Sequence, residues 1–221
     1  MKLTIFAATG GIGRHLLDQA LAAGHDVTAV VRNPAKVSAD VHTVTGDLAT
    51  ASVDDLTPAL AGADAVLSGL GPRSRADAGI TALGTQKIIR AMKAADVRRI
   101  VVVSAAPVGT FPSPGRPHPP KHDPGDGFWM RHLLSPMISV ILRKHYQDLA
   151  MMEDSLRDSG LEWTVVRPPQ LVDRPLTGDY RTAFDQNLFG GTKISRADVA
   201  HLMLAALDRP GTIGRVLGVA Y

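Results

Sequence analysis

Short runs of β-branched and aliphatic residues alternate with longer amphipathic stretches along the first half of this chain of 221 residues. The short runs are typical of buried strands, and the longer stretches are typical of helices that pack on a sheet. Parallel strands need long crossover connections, so the alternation predicts a doubly wound, parallel α/β sheet of the Rossmann type with helices on both faces. The predicted strands cover residues 3–7, 27–31, 41–45, 65–70 and 99–104, and the predicted helices cover 12–23, 53–60 and 80–95.

The second half of the chain begins with a segment of different composition. Between residues 107 and 127, seven prolines and four glycines fall within 21 residues, which fits no regular element and predicts a long loop. A helical segment at about 128–159, interrupted at Pro136, and a sixth strand at 161–167 follow. Ser195-Arg-Ala-Asp198 predicts a capping box at the start of the last helix. We therefore expect one domain over residues 1–221, with a loop and lid at about 107–135 and a small C-terminal substrate region at about 168–194.

Composition and charge narrow the classes of function. The chain has no cysteine, so a thiolate nucleophile, a disulfide and a cysteine metal site are excluded, and redox chemistry needs a bound cofactor. The 24 basic and 21 acidic residues are scattered, which does not favour nucleic-acid binding. The apolar run at 133–142 is interrupted and far shorter than the ~20 residues that span a bilayer. We expect a cytoplasmic monomer or homodimer with no nucleic-acid or membrane partner, and the histidine spacing predicts no metal site.

A glycine-rich turn joins the first predicted strand to the first predicted helix. Gly10 would let the backbone approach a pyrophosphate, and Gly13 would let the helix pack closely on the strand. The free amides of Gly11 and Ile12 can bind phosphates at the helix start. A tight turn would need glycine in any case, but the strand–turn–helix context favours a bound dinucleotide. The predicted contacts are Thr9, Gly10, Gly11, Ile12 and Gly13.

The end of the second strand bears on which dinucleotide binds. Arg32 lies nineteen residues after Gly13, where an NAD-specific protein usually places an acid for the ribose hydroxyls. A guanidinium there suits a 2′-phosphate, with Lys36 four residues later and Arg14 as a further candidate. The sequence therefore predicts NADP(H), and the alternative for Arg32 is a solvated surface arginine.

Residues at the ends of three further strands are also candidates for cofactor binding. Asp47 is placed to meet the adenine amino group, with Leu48 against the ring, although Asp47 could instead cap a helix. Strands four and five end at a ligand crevice in such a sheet, so residues there should flank the ribose and the nicotinamide. Those residues are Gly69, Leu70, Gly71 and Ser104, and a strand-end cap is the alternative reading of Ser104.

Further motifs extend over nearly the whole chain. They are Gly46-Asp-Leu48, Leu70-Gly-Pro-Arg73, Ser104-Ala105, Asp158-Ser-Gly-Leu161, Arg167-Pro-Pro-Gln170, Arg174-Pro-Leu-Thr-Gly-Asp-Tyr180 and Ile194-Ser-Arg-Ala-Asp198. With the glycine turn and Arg32, they make the chain resemble the atypical, NmrA-like short-chain dehydrogenases/reductases, and among them the biliverdin-IXβ reductase/flavin reductase group. The resemblance implies NADPH binding and hydride delivery to flavins or related conjugated rings. It also implies Ser104 near the nicotinamide, Pro168 at the cofactor and Arg73 beside the acceptor.

Departures from the family pattern concern mainly the substrate. The first glycine of the turn is Ala7 here, which is tolerable if its φ angle is negative. Gln170 replaces a family histidine, Ala106 replaces an aromatic residue, and the 107–135 stretch is longer than in the family. Nine of the ten aromatic residues lie after residue 110, so the second half is expected to line the site of a flat acceptor. The substrate-binding candidates are Arg73, Ala106, Trp129, Tyr146 and Gln170.

The catalytic candidates are Ser104, Arg73 and Tyr146. Many short-chain dehydrogenases use Tyr-x-x-x-Lys, but Ala150 follows Tyr146 at the lysine position. Tyr146 is therefore either an acid or a residue that packs against the substrate. Reduction of a conjugated acceptor does not require that pair, because the proton can come from Ser104, a water or solvent near Arg73.

Three functions fit these residues. The first is an NADPH-dependent oxidoreductase that transfers hydride to a flavin, a quinone or another conjugated small molecule. The second is a non-catalytic NADP-binding redox sensor or regulator of the NmrA type, favoured by the missing Tyr-Lys pair. The third is an NAD(P)-dependent epimerase, dehydratase or carbonyl reductase in which Tyr146 or Glu153 is the acid/base.

Overall fold

Two β-sheets and five α-helices form the part of the protein that the computed structural model describes, residues 1–71, 79–125 and 142–221. The strands are β1 (Lys2–Phe6), β2 (Asp26–Val31), β3 (His42–Thr45), β4 (Ala65–Ser68), β5 (Arg99–Val103), β6 (Glu162–Arg167), β7 (Gln170–Val172), β8 (Arg181–Phe184), β9 (Lys193–Ser195) and β10 (Arg215–Ala220). The helices are α1 (Gly11–Ala22), α2 (Val53–Leu56), α3 (Ile80–Ala94), α4 (Arg143–Arg157) and α5 (Arg196–Ala205).

The large sheet has the strand order β3-β2-β1-β4-β5-β6-β10-β8. Every neighbouring pair in it is parallel except β10–β8, and β7 and β9 form a separate parallel pair. The first six strands follow the Rossmann order, in which the connection reverses direction next to β1 and opens a crevice beyond the carboxyl ends of the strands. The structure thus confirms the predicted fold class.

Helices cover both faces of the large sheet. The strands β4 and β5 are buried along their whole length, as expected for a parallel sheet with two covered faces. On one face, α1 and α5 pack through residues such as Leu16 and Met203. On the other face, α2, α3 and α4 pack through residues such as Leu56, Ile88 and Met152. These two aliphatic layers fix the strand ends that surround the crevice.

Several elements differ from the prediction. The helix predicted over 53–60 ends at Leu56, and a 3₁₀ turn with Pro58 near its start continues it to Leu60. The helix predicted at about 128–159 is described only from Arg143 onward, and Pro136 lies outside the described residues. The strands β7 to β10 were not predicted, although residues 216–220 are apolar and buried.

The described part of the proline-rich loop is packed against the rest of the domain. It begins with a 3₁₀ turn over Ala106–Thr110. Further on, the amide of Gly115 donates to Asp154 on α4 over 2.8 Å. At its end, the Asp123 carboxylate accepts hydrogen bonds from the amides of Gly125 and Asn187. Its residues 126–135 lie outside the described ranges, and the role of the loop as a lid remains a prediction.

The start of α5 differs in detail from a capping box. The Ser195 hydroxyl accepts from the Asp198 amide over 2.9 Å, as predicted. The Asp198 carboxylate, however, accepts from the Ser195 hydroxyl over 2.8 Å and not from its backbone amide, which donates to the Tyr221 hydroxyl. Within the three described ranges, no helix is long and apolar enough to cross a membrane.

Candidate active site

A cleft of about 1170 Å³ lies at the carboxyl ends of the parallel strands. Its walls come from the glycine turn, from the ends of β2, β3, β4, β5 and β6, and from the start of α4. Predicted cofactor residues along it are Thr9, Gly10, Gly11, Ile12, Arg32, Lys36, Asp47, Leu48, Gly69, Leu70, Gly71, Ser104 and Pro168. The fold therefore brings together, in one cleft, residues that are up to 159 positions apart in the chain.

The glycine turn is tightly packed beneath the cleft. The Gly10 amide donates to the Ala7 carbonyl over 2.8 Å. Gly13 does not line the cleft but lies below it, and a Cβ there would be 2.0 Å from the Ala7 oxygen. Helix α1 begins at Gly11, and no side chain among the described residues caps it, so the first amides of the helix are available to an anion.

Alanine in place of the first glycine of the turn was expected to be tolerable if the φ angle of Ala7 were negative, and the structure does not meet that condition. Its φ angle is +57°, in the left-handed region. An L-residue with a Cβ pays about 1–2 kcal/mol for that conformation relative to the right-handed region. The turn keeps its geometry because the Ala7 carbonyl is fixed by Gly10 and packed against Gly13. The strain is therefore held by the surrounding backbone.

Arg32 and Lys36 lie at the β2 end of the cleft, and both are exposed. Neither forms an ion pair with a carboxylate of the described residues. Lys36 ends a 3₁₀ turn over Pro34–Lys36 that begins two residues after Arg32, and the Asn33 side chain caps this turn. Two unneutralised cations at this position are suited to a dianionic phosphate.

The end of β3 and the end of β4 form the neighbouring wall. Asp47 is half-buried, and its carboxylate accepts a hydrogen bond from the Ala49 amide over 3.0 Å. Leu48 and Leu70 are buried and pack against Gly84 of α3, where a Cβ would lie 2.8 Å from Leu70. Asp47 therefore stabilises its own turn while lining the cleft, and its contact with the adenine amino group stays a prediction.

Ser104 lies where β5 ends, and a buried charge network fixes its hydroxyl. That hydroxyl donates to Glu153 Oε1 of α4 over 2.8 Å. The same carboxylate accepts Arg167 Nε over 2.8 Å and the Nη2 groups of Arg167 and Arg157. The side chain of Glu153 is fully buried and that of Arg167 is 5% exposed.

Glu153 remains ionised in this environment. Burial alone would raise its pKa, but the charge and hydrogen bonds of Arg167, the charge of Arg157 and the bond from Ser104 outweigh burial and leave the pKa lowered. The Ser104 proton is consequently directed at a carboxylate, and its oxygen is left as an acceptor for a donor in the cleft. The arrangement does not support Ser104 as the proton source, nor Glu153 as an acid/base in contact with substrate.

Tyr146 and His145, from the first turns of α4, also line the cleft. The Tyr146 ring lies 5.0 Å from Phe111 and 5.3 Å from His145, centroid to centroid. Burial raises the pKa of the Tyr146 hydroxyl, so it stays protonated at neutral pH and can donate. Burial lowers the pKa of His145 against the opposing charge of Asp148, which favours the neutral ring.

Other predicted substrate residues are placed less directly. Ala106 and Gln170 are not among the residues that line the cleft; the Ala106 amide instead donates to the Pro168 carbonyl, and Gln170 is exposed on β7. Arg73 and Trp129 lie outside the described residues. Three further aromatic residues of the second half were also expected to line the site of a flat acceptor. Of these, Tyr180 pairs with His201, Phe184 is half exposed beneath Arg215, and Phe128 lies outside the described residues.

The sequence analysis missed two features, one in the cleft and one beneath it. Arg196 lines the cleft from the start of α5, but the motif around it was interpreted only as a helix cap. The ion pair of Arg167 with Glu153 was also missed, although a charged residue at the end of a buried strand requires a buried partner. The charge of Arg167 at the end of the predicted strand 161–167 could therefore have indicated a buried acidic partner.

Comparisons with known proteins agree with the geometry. A sequence model of the NAD(P)H-binding family matches residues 7–210. The chain is 29% identical over 223 residues to one curated relative, the uncharacterized sugar epimerase YhfK of Bacillus subtilis (strain 168), across 97% of this chain and 92% of that protein. The crystal structure of the oxidoreductase ylbE from Lactococcus lactis matches with a TM-score of 0.80 at 20% identity, over 100% of this chain and 90% of that one. A proposed NADH-flavin reductase from Streptococcus pneumoniae TIGR4 matches with a TM-score of 0.73 at 24% identity, over 100% and 99%.

Proposed function

Because the chain belongs to the NAD(P)H-binding family, we propose that it is an NADPH-dependent reductase whose acceptor is a flavin, a quinone or another conjugated small molecule. The observation that carries the proposal is the cleft, which joins the glycine turn and the cations Arg32 and Lys36 to Ser104 and Tyr146. We further propose that it acts in the cytoplasm. A monomer or a homodimer is compatible with this activity.

The described residues fit a dinucleotide along the cleft. The uncapped start of α1 suits the pyrophosphate, and Arg32 with Lys36 suits a 2′-phosphate. Asp47 and Leu48 suit the adenine, and Pro168 suits the far end of the cofactor beside Ser104. Preference for NADP(H) over NAD(H) is part of the proposal, since Arg32 stands where an acid would hold the ribose of NAD.

Bound NADPH would supply a hydride, and the protein's own residues position the partners. Ser104 can accept a hydrogen bond from the nicotinamide carboxamide, because Glu153 holds its proton. Tyr146 is a protonated group in the same cleft as Ser104 and can donate to an acceptor. Its ring, supported by Phe111, also offers a flat face against which a conjugated ring can stack. Arg73 and Trp129 are proposed on the acceptor side from the sequence alone.

Steady-state turnover tests the proposal. The protein is mixed with NADPH or NADH and with FMN, riboflavin or a quinone, and the loss of reduced-nicotinamide absorbance is followed. We expect turnover with NADPH and a higher KM for NADH. Arg32→Gln should raise the KM for NADPH and leave that for NADH nearly unchanged, because only the 2′-phosphate contact is lost. Tight NADPH binding with no turnover for any acceptor would contradict the reductase proposal.

A second candidate is a carbonyl reductase or epimerase on the same fold. It is favoured by Tyr146, a protonated tyrosine in the cleft, and by the similarity to a relative named as a sugar epimerase. In that case Tyr146 would exchange a proton with the substrate. Tyr146→Phe separates the candidates, because it should abolish epimerisation or carbonyl reduction and reduce flavin turnover only moderately.

A further inference from the structure

Two oppositely charged side chains meet beside the glycine turn, where the small sheet ends. Val172 of β7 pairs with Ser195 of β9 in parallel register, so the next residues, Asp173 and Arg196, leave the sheet at the same level. Arg196 Nη1 donates to Asp173 Oδ1 over 2.7 Å. The Asp173 side chain is 80% exposed, and an ion pair so open to water is weak and easily exchanged.

The Arg196 side chain also lies against Gly11, the first residue of α1. A Cβ on Gly11 would be 2.8 Å from Arg196 Nε and 2.9 Å from its Cδ, closer than atoms can approach. Glycine at this position therefore leaves the space that the arginine occupies. The amino end of a helix carries a partial positive charge, so a cation placed there is unfavourable unless an anion shares the site.

We propose that Arg196 is a clamp for the pyrophosphate of the dinucleotide, and that Asp173 holds its guanidinium beside the glycine turn until the pyrophosphate replaces the carboxylate. This inference rests on the proposed function, because it takes the start of α1 as the pyrophosphate site. A guanidinium binds phosphate through two parallel hydrogen bonds. The exchange also places an anion between the arginine and the helix start.

The positions of the cations along the cleft support a pyrophosphate contact for Arg196. Among the described residues, three lysine and arginine side chains line the cleft. Arg32 and Lys36 follow β2, whereas Arg196 lies at the glycine turn. NADP(H) carries one phosphate on the adenosine ribose and two in its pyrophosphate. The first two cations therefore serve the 2′-phosphate, and Arg196 serves the pyrophosphate.

Equilibrium binding of two probes tests the clamp. NADP⁺ contains the pyrophosphate, whereas adenosine 2′-monophosphate (2′-AMP) contains only the 2′-phosphate. Arg196→Gln should weaken NADP⁺ binding about 10- to 100-fold, as expected for a charged hydrogen-bonding pair, and leave 2′-AMP binding within about twofold. Arg196→Lys should be intermediate. The matched variant Arg32→Gln should weaken both probes.

The exchange with Asp173 makes a separate prediction. Asp173→Asn should tighten NADP⁺ binding about two- to fivefold, because the carboxylate, which forms only a weak exposed ion pair, no longer competes with the pyrophosphate for Arg196. In the Arg196→Gln background the same change should have no effect. Circular dichroism melting of each variant confirms that the fold is intact.

The outcomes are distinguishable. If the wild-type protein binds neither NADP⁺ nor NAD⁺, the proposed function and the clamp both fail. If the wild type binds and Arg196→Gln binds NADP⁺ equally well, the clamp alone is overturned. Equal losses for NADP⁺ and 2′-AMP in Arg196→Gln would assign the arginine a purely structural role and would also overturn it.

Discussion

Replacing Glu153 with glutamine should strongly destabilise the protein. The change keeps the shape of the side chain but removes the charge that holds Ser104, Arg157 and Arg167. Arg167 would then retain a buried charge beside an amide, because its side chain is only 5% exposed. Removing one partner of such a pair costs about 3–5 kcal/mol, a large part of the ~5–15 kcal/mol that stabilises a typical domain.

Urea unfolding of the wild type, Glu153→Gln and Glu162→Gln measures this cost. Glu162 is the matched control, since its ion pair with Arg98 spans 3.6 Å and is largely exposed. The control should lose less than about 1 kcal/mol. A Glu153→Gln variant as stable as the control would refute the account of the network.

The pH dependence gives an independent check of the same network. The pKa of Glu153 is lowered in the folded state from its ordinary 4.5. Its stabilising contribution is therefore complete above pH 4.5 and is lost as the pH falls through the lowered pKa. The difference in unfolding free energy between wild type and Glu153→Gln should accordingly narrow as the pH is lowered. A difference that widens in acid would contradict the assigned direction.

Three further substitutions test the backbone and the C-terminal region by unfolding free energy. Ala7→Gly should be neutral or stabilise by up to about 1 kcal/mol, because it removes the left-handed strain, whereas Ala61→Gly, at φ −60°, should destabilise by about 0.4–1 kcal/mol. Gly13→Ala should cost about 3 kcal/mol or more, since its Cβ would lie 2.0 Å from the Ala7 carbonyl oxygen. Gly211→Ala should be tolerated, because a Cβ there would have no atom of the described residues within 4 Å. Asp198→Asn should destabilise the protein by about 1–3 kcal/mol at neutral pH. Burial raises the Asp198 pKa, but hydrogen bonds, above all that from the Tyr221 hydroxyl, outweigh burial and lower the pKa to about 2. The difference in unfolding free energy between wild type and Asp198→Asn should therefore shrink as the pH falls from 3.8 towards 2.

Sequence patterns predicted the first six strands because each of them is rich in aliphatic or β-branched residues. The strands β7 and β9 have only three residues each, too few to show a period. The strand β8 is mostly exposed, so hydrophobic patterning gives no signal there. For β10 the signal was present, since residues 216–220 are apolar, and only its place beside β6 required the tertiary structure.

The candidate site was predictable where a local motif carries the chemistry. The glycine turn and Arg32 belong to that class, because strand–turn–helix context fixes their position. Glu153 and Arg196 do not, since their roles depend on contacts with Ser104 and Gly11, which are 49 and more than 180 positions away in the chain. The positive φ angle of Ala7 could not be predicted, because the residue type alone does not determine the backbone conformation.

A structure of the protein with NADP⁺ bound tests the central claim most directly. We predict the pyrophosphate at the amides that begin α1, the 2′-phosphate between Arg32 and Lys36, and the carboxamide of the nicotinamide hydrogen-bonded to the Ser104 hydroxyl. A 2′-phosphate in open solvent, or a nicotinamide that does not reach Ser104, would contradict the assignment of this cleft as the site of hydride transfer.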